Sequence, residues 1–251
     1  MPIKFDSDLG KLKHKLLHMG AMAEKMIQNM NSVLIDHADD QLGKIYESEK
    51  KMDQMQGEID EETIRLISIY TPVASDLRLL LMVTRINAEI ERIGDKVIDV
   101  CHFVENFFKD KRNRNIINFT HVAEVTEKML HNALLAFINR SVHEAVAVIN
   151  ADEEVDKITD NTFRILFTHM LSAPSDIGYI LGLMLTAQAI ERIADHAVNI
   201  AEDVVYMVEG EDVRHMQAEE LQDLNKESGK TNNKRSIAGK RNNKKSNRKN
   251  S

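Results

Sequence analysis

Four pairs of acids stand four residues apart in this chain: Glu49/Asp53, Glu91/Asp95, Asp152/Asp156 and Glu191/Asp195. On a helix, residues at i and i+4 share a face with Cβ atoms roughly 5–6 Å apart, so each pair repels itself unless a cation or a basic side chain neutralises it. Two such pairs brought together make an oxygen-only site, suited to hard or borderline cations, with Mg²⁺, Mn²⁺, iron and Zn²⁺ as the candidates. One pair alone reads as a solvated helix face. Register argues for more, because residues equidistant from the turn of an antiparallel helix hairpin lie opposite each other. Glu49 with Asp95 and Asp53 with Glu91 both centre on Pro72, while Asp152 with Asp195 and Asp156 with Glu191 both centre between Ala173 and Pro174. Each hairpin therefore sets two carboxylate pairs at one height on neighbouring helices.

The elements that must hold these acids are helices. Breakers are sparse up to Gly210, and apolar residues recur in alternating steps of four and three, as in Leu79, Val83, Ile86, Ile90, Ile93, Val97, Val100 and Val104. Such a stripe packs against neighbouring helices. The spacing predicts helices over about 6–36, 39–69, 73–109, 118–140, 142–171 and 174–209. Pro72, Ser75 and Asp76 suit a helix start, where a missing N–H costs nothing and acids favour the dipole. Glu91 and Asp95 project almost opposite their helix's stripe, so the site is expected on an outer face. Gly94, Ile98, Ala194 and Val198 beside them are small or apolar, which implies partial cover. Asp99 and Asn199 are possible additional ligands.

An internal repeat organises the chain. Glu91-Arg92-Ile93-Gly94-Asp95 returns 100 positions later as Glu191-Arg192-Ile193-Ala194-Asp195, and Glu49 to Asp53 is matched by Asp152 to Asp156 at an offset of 103. The expected fold is all-α, two tandem three-helix bundles, with one repeat over residues 1–112, the other over 113–215, and a tail over 216–251.

Composition bounds the function. The 251 residues carry 33 Lys or Arg against 40 Asp or Glu, for a net charge of −7. From Lys226 to Ser251 there are 10 basic residues and one acid, Glu227, so the preceding 225 residues hold 23 basic and 39 acidic side chains. This tail has too little apolar content to offset its ordering entropy and is expected to be disordered. It has no aromatic residue for base stacking, so no specific nucleic-acid binding is expected. Cys101 is the single cysteine, which excludes a disulfide within the chain and a thiolate zinc site and points to a reducing compartment. The start carries no signal-peptide pattern, and the longest nearly apolar run, Ile177 to Ile190, is shorter than the roughly 20 residues of a bilayer span. A soluble, cytoplasmic protein is expected, meeting membranes only through partners.

No Gly-rich phosphate loop, zinc-protease motif or Ser/His/Asp arrangement is present, and no catalytic residue is expected. The competing enzyme class, a carboxylate-bridged di-metal oxidase on a four-helix bundle, uses paired Glu-x-x-His motifs, of which this chain has none. His102 reads as a helix-surface residue, His196 as interfacial, and Arg92 and Arg192 as ion-pairing partners within the bundles, with anion binding the sharper reading for the two arginines.

These residues carry a resemblance. The segments I-D-E-E-T-I-R-L-I-S-I-Y-T-P-V-A-S-D-L-R (59–78), E-R-I-G-D (91–95), E-R-I-A-D-H-A-V-N-I-A-E (191–202) and V-E-G (208–210) resemble the PhoU family over roughly residues 5–215. The resemblance implies two three-helix bundles in a cytoplasmic, often dimeric protein, with metal clusters at acid-x-x-x-acid motifs, here the eight acids named above. It also implies negative control of high-affinity phosphate uptake and of the phosphate-starvation response, through contacts with the phosphate transporter's ATPase and a sensor histidine kinase. An accessory role for a low-affinity phosphate or divalent-cation transporter is the alternative. Ala194 departs from the glycine of the first copy, and the basic tail lies outside the family pattern.

Overall fold

A computed structural model describes residues 3–108 and 116–214, together with 216, 220, 221, 223 and 224. Among these there is no strand, and six long helices form: α1 (Ile3–Ile35), α2 (Leu42–Tyr70), α3 (Ser75–Phe107), α4 (Thr120–Asn139), α5 (Val142–Ser172) and α6 (Ile177–Glu209). Each expected helix is present within a few residues of its expected bounds. The largest differences, three residues each, are at the starts of α1, α2 and α6, and α3 starts two residues later than expected. Pro72 lies in the link before α3, which starts at Ser75, and Pro174 opens a short 3-10 turn ahead of α6. Helix ends follow local chemistry: Ser141 Oγ accepts the Glu144 N–H at 3.2 Å to cap α5, and Thr71, Arg140 and Gly210 end α2, α4 and α6 in the left-handed region.

α1, α2 and α3 form one three-helix bundle and α4, α5 and α6 the other. The most extensive helix pair in the molecule nevertheless joins the two repeats, α3 against α6. These helices run antiparallel: Arg85 meets Asp203, Glu89 meets His196 and Asn199, and Phe108 meets Tyr179 edge to face. α1 and α4 also cross between repeats, through Gln28–Glu127 and Glu24–His131. Four helices thus fill the middle, α2 and α5 lie outside, and the buried apolar residues form one continuous core.

By length and composition alone, the segment Pro174–Glu209 could cross a bilayer. Its apolar character follows from its place in the fold, because α6 touches α3, α4 and α5 and 56% of that apolar window is buried inside the protein. The expected start of the tail at 216 needs correction. Val213 and Leu221 are buried, and Met216 and Leu224 pack on the core, so the folded part continues past α6. The rest of the expected tail, residues 225–251, and the expected repeat boundary near 112 lie outside the described residues.

Candidate functional site

The spacing between α2 and α3 is set directly beneath the first acid quartet. Gly94, between Glu91 and Asp95 on α3, is fully packed, and a Cβ there would stand 2.7 Å from the sulfur of Met52, the buried residue preceding Asp53 on α2. In the second repeat the corresponding positions are Val155 and Ala194, both fully buried. A large residue facing glycine in one copy is replaced by a smaller residue facing alanine in the other.

Above this floor the acids sit on an outward-facing seam, as their position opposite the apolar stripe requires. Asp53, Asp95 and Asp156 are exposed, and Glu49, Glu91, Asp152, Glu191 and Asp195 are half-buried. The structure brings the four acids of each repeat within electrostatic reach of one another across the helix pair. Burial, then Asp53 and Asp95, push the Glu49 pKa up. Burial, then Asp95, Asp53 and Glu49, do the same to Glu91. Asp95 is raised by burial and by Asp53, against the opposing pull of Lys96. On the other side, burial together with Asp156, Asp195 and Glu191 pushes Asp152 up to about 6, and Asp156 and Glu191 are raised by burial and by Asp195. Glu49 feels Asp95, Glu91 feels Asp53, Asp152 feels Asp195 and Glu191 feels Asp156, as the turn-centred register sets them, whereas Asp95 and Asp156 feel the diagonal neighbours Asp53 and Asp195.

Among the described residues no three His, Cys, Asp or Glu side chains stand in a ready-made ligating arrangement. What each seam offers is four carboxylates of like charge whose mutual repulsion is only partly relieved by neighbouring bases. Arg192 holds Asp195 at 2.9 Å, and Lys96 donates to Asp99 at 2.6 Å. This donor set fits a hard cation, which would neutralise charge that the chain itself leaves unbalanced.

Several residues flagged in the sequence face elsewhere. Asn199 donates to Glu89 Oε2 at 2.9 Å in the seam between repeats, away from its own quartet. His196 is interfacial, its Nδ1 standing 2.8 Å from the same oxygen. Arg92 pairs with Glu89, and His102 packs against the ring of Tyr46. Glu89 is what the sequence reading missed: burial pushes its pKa up, but hydrogen bonds from His196 and Asn199 and the charges of His196 and Arg92 bring it below the ordinary glutamate value. Its partners on α6 lie 107 and 110 residues away, beyond any periodicity signal.

An all-helical chain built from two copies of one three-helix unit, each with an outward-facing seam of acids, belongs to the class of duplicated helical-bundle proteins. More specifically, the chain belongs to the PhoU family, since the PhoU domain pattern matches residues 16–104 and again 119–204. It is 31% identical over 221 residues to the phosphate-specific transport system accessory protein PhoU of Escherichia coli K12, covering 88% of this chain and 92% of that one. It is 33% identical over 214 residues to the PhoU homolog of Pseudomonas aeruginosa, covering 85% and 88%. The crystal structure of PhoU from Pseudomonas aeruginosa superposes with a TM-score of 0.79 at 32% identity, covering 82% of this chain and all of that one. These relatives carry the names of transport accessory proteins, not of enzymes.

Proposed function

We propose that this protein is an accessory regulator of phosphate transport that holds high-affinity uptake and the phosphate-starvation response off when phosphate is plentiful. It acts in the cytoplasm, as a homodimer, by docking on the transporter's ATPase and on a sensor histidine kinase. The observation that carries the reading is the match to PhoU accessory proteins across both repeats. Such a protein controls its partners only by binding one of their states more tightly than the others. Exposed apolar side chains near both hairpin turns, Ile64, Ile69 and Val73 in one repeat and Phe167, Leu171 and Ile177 in the other, support a docking role. Each quartet binds one or more cations, whose contribution is electrostatic: positive charge that holds α2 to α3 and α5 to α6. Low pH opposes this by protonating the acids.

The functional test is a phosphate-starvation reporter in cells lacking this protein and grown in ample phosphate. The reporter should switch on and be silenced again by the wild-type gene; a reporter that stays silent in the deletion strain rejects the regulatory reading. Elemental analysis tests the metal separately. Asp95→Ala with Asp195→Ala should abolish stoichiometric metal, and unchanged content would move the site elsewhere.

A further inference from the structure

On α3, Arg78, Arg85 and Arg92 follow one another at seven-residue spacing, which returns to nearly the same face roughly every 10 Å along the axis. That face borders α6. Beyond α6 the chain turns at Gly210, whose φ of 82° needs glycine and whose Cα lies against the Arg78 guanidinium, and brings Arg214 back to the same seam. Arg85, Arg92 and Arg214 line a cleft of about 390 Å³ between α3 and α6. A cavity of that size falls within the usual range of small-ligand sites, about 300–1,000 Å³.

The three guanidinium groups are held in place yet remain open. Arg85 gives one nitrogen to Asp203 at 3.4 Å and lies 6.0 Å over the Tyr206 ring, and its side chain is 49% exposed. Arg92 binds Glu89 through one Nη, and Arg214 binds Asp212 bidentately through Nε and one Nη, which leaves its other Nη open, with side chains 55% and 51% exposed. Three acids share the cleft with the arginines. Glu89 is already enclosed by His196, Asn199 and Arg92. Burial pushes Glu202 up to about 7 and Asp203 up to about 6. The corresponding positions of the other repeat cannot repeat the arrangement, because Arg78 and Arg85 become Gly178 and Leu185 and Glu89 becomes Ala189.

We propose that this cleft binds a small tetrahedral oxyanion of the phosphate type, held by Arg85, Arg92 and Arg214 through charge-assisted hydrogen bonds from their free N–H groups. The guanidinium fork matches such an anion in geometry, and the site is separate from the carboxylate seams. The proposal stands whether or not the regulatory reading holds.

The test is calorimetric titration of the full-length protein with inorganic phosphate, and with sulfate as its isostere, at low ionic strength. Wild type should bind, and Arg85→Gln with Arg214→Gln should weaken binding by roughly tenfold or more, the worth of one such hydrogen bond. Glu202→Gln supplies a gain that misfolding cannot mimic: removing a negative charge from the cleft should tighten binding several-fold. Absence of phosphate and sulfate binding to the wild type would overturn the proposal. So would unchanged affinity in the double arginine variant, which would assign the anion to basic groups elsewhere, or weakened binding in Glu202→Gln.

Discussion

Replacing Asp152 by Asn in metal-free protein should make the fold more stable at neutral pH. Asp152 is raised from 3.8 to about 6 by burial and by the charges of Asp156, Asp195 and Glu191. It therefore holds its proton more tightly folded than unfolded. Between those two values the native state carries more protons, so stability must fall as pH rises through that window and level off above it. A shift of about two units corresponds to a ceiling of about 3 kcal/mol, and the partial exposure of the side chain lowers the realistic figure to about 1–2 kcal/mol. Asn keeps the shape and removes the charge. Urea unfolding with a chelator present should show Asp152→Asn more stable than wild type by about 1–2 kcal/mol at about pH 7.5 and nearly equal to it at about pH 4. Adding Mn²⁺ or Mg²⁺ should stabilise wild type more than the variant. A variant no more stable than wild type at the higher pH, or an advantage that persists undiminished at the lower one, would refute the view that this seam is electrostatically strained.

Other expectations concern packing and capping. Gly94→Ala should destabilise, since overpacking costs about 1–3 kcal/mol and the gain in helix propensity recovers only about 1; adding Met52→Val, the pairing found in the second repeat, should recover most of the loss. Strict additivity in that double-mutant cycle would mean that the contact seen between Met52 and Gly94 does not set the helix spacing. Ser141→Ala should cost about 1 kcal/mol by uncapping α5, and an unchanged urea midpoint would show the cap to be idle. His196→Ala should cost about 1–3 kcal/mol by withdrawing a partner from Glu89, and a negligible loss would mean that Asn199 and Arg92 suffice.

Much of this was legible in the sequence, for a physical reason. Helical periodicity is local, so the apolar stripe of α3 announced itself. The repeat supplied a second copy of each acid pair, so register could be worked out from residue numbers alone. Cross-repeat packing left no such trace. Both α3 and α6 carry apolar stripes, and nothing in either stripe says that they face each other antiparallel; hence Glu89, two residues from a recognised site acid, was passed over. The segment after α6 was also hidden, because Val213, Met216, Leu221 and Leu224 are dispersed among polar and charged residues and give only a broken helical spacing. Pro72 suggested too early a start for α3 because the same residue serves equally well in a link.

The antiparallel seam of α3 and α6 has the geometry of an isologous dimer interface, in which patch i meets patch j and j meets i, with both halves contained in one chain. Two identical half-length chains meeting this way would have to display every surface feature twice. Covalent linkage lifts that constraint. Arg85 and Glu89 on α3 can differ from Leu185 and Ala189 on α6. Fusion therefore lets the two faces diverge while the helices beneath them keep their common symmetry, so one half can acquire a feature that the other never shares.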